Sequence, residues 1–130
     1  SNPSNQKVTV NSVFMSIPAP LAFSAIAAIS TATAIVLTDA ITSLAAASGI
    51  NITLLAGAVG QVKFVTSGTE EITNVIPAAT GGAYARIVTT NIGENYTLLY
   101  HTTTVTGWYT ISMADGKAAA ADGAATIIRA

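Results

Sequence analysis

Seven side chains in this sequence can exchange a proton near neutral pH: Asp39, Glu70, Glu71, Glu94, Asp115, Asp122 and His101. General acid–base catalysis needs such groups brought together and tuned against each other. Glu70 and Glu71 follow Ser67-Gly68 in an expected hairpin turn, Glu94 adjoins Gly93, and Asp115 and Asp122 each precede a glycine. Acidic residues in those places serve turn geometry and solubility. His101 lies in the Thr-rich run Tyr100-His101-Thr102-Thr103-Thr104. A nucleophilic triad would require a Gly-x-Ser-x-Gly elbow or its equivalent, and the sequence contains none. A metal site would require further histidines or cysteines, and there are none. No calcium-loop spacing occurs among the aspartates. The expectation is a protein with no catalytic residues, no cofactor and no metal, in which His101 is a solvated or interface residue.

Three other motifs have structural explanations. Ala56-Gly57-Ala58-Val59-Gly60-Gln61 has two glycines but no following Gly-Lys-Thr/Ser, and it leads from loop to strand, so it reads as a tight turn and not a phosphate loop. Asn51-Ile52-Thr53 and Asn95-Tyr96-Thr97 match the glycosylation sequon but fall inside expected strands of a Thr-rich chain. Trp108-Tyr109 is the most distinctive aromatic feature. Together with Tyr84 it could stack on a sugar ring, as in a secreted carbohydrate-binding or adhesin module; the preferred reading is that Trp108 fills the end of a β-core.

The elements that would position these residues are strands. Glycines recur mostly every 8–14 residues from Gly49 onward, the turn spacing of a sandwich or barrel. Between them lie β-branched and aromatic runs at 34–37, 50–55, 61–66, 71–76, 83–89, 95–104 and 108–113. Gln61-Val62-Lys63-Phe64 alternates, with Val62 and Phe64 on one face and Gln61 and Lys63 on the other. Tyr96, Leu98 and Tyr100 share one face of their strand, while Thr97, Leu99 and His101 take the opposite face. Apolar residues on both faces mean that something covers both. Residues 21–30 fit either a short helix or an apolar strand. Residues 39–48 could hold one or two helical turns ending at Gly49. Ala125 to Arg129 reads as a last short strand, and no repeat of 20–50 residues is evident.

Composition points the same way. Charged residues make up 8% of the chain and hydrophobic residues 51%, whereas about a quarter of an ordinary globular sequence is charged. Interface cores are depleted of charge, so the scarcity implies surface buried in an assembly. The net charge of −1 and five scattered basic residues exclude packaging of nucleic acid by charge. Val8 to Thr38 carries no charge, but Pro18 and Pro20 interrupt it and no basic cluster flanks it, so no membrane association is expected. A pilin-like filament subunit built on a helix from Leu21 to Leu37 remains an alternative. Ile17-Pro18-Ala19-Pro20 is held extended by its prolines and reads as an arm.

Within residues 53–113 the order Ala56-Gly57-Ala58-Val59-Gly60-Gln61-Val62-Lys63, then Val75-Ile76-Pro77, Gly81-Gly82, Tyr96-Thr97-Leu98-Leu99-Tyr100 and Gly107-Trp108-Tyr109-Thr110-Ile111-Ser112 resembles small structural proteins of tailed-phage virions, of the capsid-decoration and fibre type. The resemblance covers about half the chain and rests on turn and core residues. It implies a β-rich homotrimer on the particle surface. The combined expectation is a mainly β protein, an antiparallel sandwich or barrel-like domain over 33–113. An extended N-terminal docking arm (1–32) precedes it and an Ala-rich tail with a short strand (114–130) follows. Its partners would be copies of itself and a major capsid or other virion protein, and Ile17, Pro18, Pro20, Leu21, Leu99 and His101 are the candidate interface residues.

Overall fold

The structure, a computed structural model, describes residues 26–80, 84–115 and 125–129. The described chain is all β, with ten strands and no helix. They are β1 (Ile26–Ile29), β2 (Ala34–Ile35), β3 (Ile41–Leu44), β4 (Ile50–Leu54), β5 (Val62–Ser67), β6 (Thr73–Pro77), β7 (Arg86–Thr89), β8 (Asn95–Thr102), β9 (Thr106–Ala114) and β10 (Thr126–Ile128). Each run of β-branched and aromatic residues from 34 onward became a strand, because those side chains pack well on a pleated, half-buried surface.

The strands form two five-stranded sheets: sheet A in the order β1-β3-β5-β8-β9, and sheet B in the order β10-β7-β6-β4-β2. Up to β6 the chain visits the sheets alternately. In sheet A β1, β3 and β5 are parallel, and in sheet B so are β2, β4 and β6. This makes three stacked coils of a two-sided solenoid, in which the crossover between parallel strands is a strand of the other sheet. The remaining four strands join antiparallel, β6 to β7, β7 to β10, β5 to β8 and β8 to β9. The sheets are therefore mixed, and not the antiparallel set that turn spacing suggested.

Three local expectations change with this topology. Residues 41–44, expected as a helical turn, form β3, whose inward Thr42 and Leu44 are buried between parallel neighbours. Burial on an alternating pattern selects extended backbone over weak helix propensity. The connection 68–72, expected as a hairpin turn, carries the chain from β5 in sheet A to β6 in sheet B. Residues 26–29 and 34–35 are strands, so a continuous helix from Leu21 to Leu37 does not form over its described part, and the pilin-like reading loses its element. Among the described residues no helix is long and apolar enough to cross a membrane. The arm drawn over 1–32 overlaps β1, which is a member of sheet A; residues 1–25, with Ile17, Pro18, Pro20 and Leu21, lie outside the described residues.

The sheets pack face to face over one core. Sheet A contributes Ile29, Leu44, Val65, Tyr96, Leu98, Tyr100 and Trp108, and sheet B contributes Ile35, Ile52, Leu54, Val75 and Ile87. Fully burying one such aliphatic or aromatic side chain is worth about 1.5–3 kcal/mol. Gly93 turns the chain into β8 at φ 92°, and its N–H donates to the Ser67 carbonyl at 2.8 Å. A side chain would be strained in that left-handed conformation.

Candidate functional site

Trp108 is fully buried (0% exposed) on the inner face of β9. Its ring meets Tyr100 edge-on at 5.1 Å, and its Nε1 donates to the Leu55 carbonyl just after β4, 2.8 Å away. Its backbone N–H donates to the Ala79 carbonyl, and its own carbonyl accepts from the Tyr84 hydroxyl at 2.9 Å. The residue thus ties sheet A to sheet B at one end of the sandwich. Gly57 is shaped by it: a Cβ there would lie 2.7 Å from the indole. Trp108 and Tyr84 are both buried, so neither presents an exposed ring face for a sugar to stack on. Tyr109 points to the other side of β9, where it packs on His101 at 4.5 Å and donates its hydroxyl proton to the Val105 carbonyl.

Tyr84, Tyr109, Thr110, Ile127 and Arg129 line an open concavity of about 290 Å³ between the β9 and β10 edges. Its described lining carries one cation, two phenols and no carboxylate. Burial pushes the Tyr84 phenol up to about 12, with Tyr109 adding to the effect. Tyr96 is also raised, by complete burial and then by Tyr84.

The acidic residues sort by geometry. Glu94 is buried beside Gly93, and its carboxylate accepts from the Thr90 N–H (2.7 Å), the Thr90 hydroxyl (3.2 Å) and the Asn91 amide (3.4 Å). It holds the turn into β8, the turn role expected of it, but from a buried position and not at a solvated surface. His101 faces Tyr109 on the outside of sheet A. Among the described residues no group of three or more His, Cys, Asp or Glu is placed to hold a metal.

Lys63 is the feature that alternation alone did not orient. Its face of β5 is the inner one, and the side chain is fully buried. The ammonium donates to the carbonyls of Val36 (2.7 Å) and Asp39, while Gln61 donates to the Leu37 carbonyl at 2.8 Å. Together they clasp the connection between β2 and β3. Desolvation lowers the Lys63 pKa below its usual 10.5, opposed by the negative charge of Asp39.

Because Lys63 points in, Val62 (37% exposed) and Phe64 (39%) point out. The register places them in rows on the outer face of sheet A: Ile26, Ile41, Phe64 and Thr97 in one, Val62, Leu99 and Tyr109 in the next. Two residues named from sequence, Leu99 and His101, lie on this face. Exposed large apolar side chains within strands occur only in sheet A, at Ile26 (60% exposed), Val62, Phe64 and Ile111. Ile111 is the extra residue of a bulge, between the pairs Thr97–Ser112 and Leu98–Thr110. Lys63 is the one Asp, Glu, Lys or Arg in the strands of sheet A, and it faces the core. The outer face of sheet B instead carries Arg86 and a hydrogen-bonded pair, Asn74 to Asn51 at 2.9 Å. Comparison with known proteins found no matching family model and no matching curated protein.

Proposed function

We propose that this chain is a non-catalytic structural protein that works by assembling with copies of itself and docking on a larger particle. The observation that carries this reading is the outer face of sheet A, a surface with apolar rows and no Asp, Glu, Lys or Arg. Contiguous apolar surface of this kind marks interaction sites in proteins that stay dispersed. The employment of Glu94 in a turn and of His101 against Tyr109 fits a chain whose polar groups serve architecture. The resemblance of residues 53–113 to decoration and fibre-type proteins makes the virion surface of a tailed phage the proposed location, with a homo-oligomer as the working assembly. Imaging particles released from cells that make a tagged copy provides the test. Label on the particle surface is the expected result; label confined to free protein would contradict the docking role.

A further inference from the structure

We infer that the outer face of sheet A is the contact surface for a second copy of this chain, centred on Phe64, Val62 and Leu99. The inference rests on the self-assembly reading above and names the surface that performs it.

Three observations select this face and this occupant. The first is the distribution of exposed apolar side chains: the four within strands belong to sheet A, where Val62 and Phe64 sit mid-face, while those beside sheet B, Val36, Leu55 and Ile72, lie just outside the ends of β2, β4 and β6. The second is charge. An isologous contact sets a patch against its own copy, so any like charge in the patch faces its equivalent across the contact. Sheet A has none on this face, because its one cation, Lys63, is turned into the core and held by two carbonyls. Sheet B would bring Arg86 with it.

The third is area. Five strands at about 4.8 Å spacing, averaging about six residues at about 3.3 Å each, give a face about 24 Å by 20 Å in plan. Two such faces remove about 1,000 Å², the threshold at which contacts become specific.

The test compares the wild type with Phe64→Lys and Val62→Lys, and with Thr53→Lys on the outer face of sheet B, by sedimentation velocity over a concentration series. Circular dichroism checks the fold of each. Both substituted side chains on sheet A are more than one-third exposed, and if one variant fails to fold the other carries the test. The expected result is an oligomeric wild type, an oligomeric Thr53→Lys, and folded sheet A variants whose self-association is at least tenfold weaker, since each buries an unpaired ammonium in the contact. If the wild type is oligomeric and a folded sheet A variant associates as tightly, this face is not the contact, though the assembly reading stands. If the wild type is a monomer, both fall.

Discussion

Trp108 and Lys63 both lie in the core, yet they got there for opposite reasons. A tryptophan is drawn inward by its apolar area and needs one acceptor, which the Leu55 carbonyl supplies. A lysine enters only if its ammonium finds oxygen partners, and here the β2–β3 connection presents two. The tyrosines add a pH dependence with a definite sign. The unfolded chain releases phenolic protons near pH 10, whereas buried Tyr84 keeps its proton to about 12 and Tyr96 is also raised. Their contribution is complete below pH 10 and is lost as pH climbs from 10 towards 12. Lys63 acts in the other direction, since its folded pKa lies below 10.5 and stability rises with pH between that value and 10.5. Denaturant midpoints measured from pH 8 to pH 12 should therefore fall steeply above pH 10.5. Tyr96→Phe should flatten that fall while leaving stability at pH 8 unchanged or about 1 kcal/mol higher, because the hydroxyl it removes has no hydrogen-bond partner.

At the scale of elements, the strands were legible in the sequence and their pairing was not. Runs of Val, Ile, Thr and aromatic residues bounded by glycines marked β2 and every later strand except β3. Alternation correctly put Tyr96, Leu98 and Tyr100 on one buried face. Alternation does not say whether a neighbour runs parallel or antiparallel, however. The coils also escape a repeat search because their lengths differ: Ile26 pairs with Ile41, 15 residues on, and Ile41 with Phe64, 23 residues on. Nor does alternation reveal which face turns inward when the polar one holds a lysine whose acceptors lie 24 and 27 residues away. That clasp should be separable from the rest of the fold. Lys63→Ala loses its packing and both hydrogen bonds, so a cost of about 2–4 kcal/mol is expected. Hydrogen exchange should quicken first at the amides of residues 36–40; uniform quickening across both sheets would show that the clasp is not a local device.

For the whole molecule, the scarcity of charge is resolved into a place. The sequence foretold two apolar faces for the strand that is β8, and it has them: Tyr96, Leu98 and Tyr100 pack on sheet B, and Leu99 lies on the other face beside Val62 of β5. Of the named aromatics, Trp108 and Tyr84 are part of the join between the sheets, and Tyr109 meets Tyr84 at the concavity beside it. The choice between a core tryptophan and an exposed one depends on which sheet lies opposite, which local sequence does not encode. What remains is a sandwich with one face unsuited to water, and assembly is the claim that accounts for it. Static light scattering on the purified chain at micromolar concentration tests that claim most directly. The account predicts a particle of at least twice the 13.1 kDa chain mass, and a stable monomer at that concentration would contradict it.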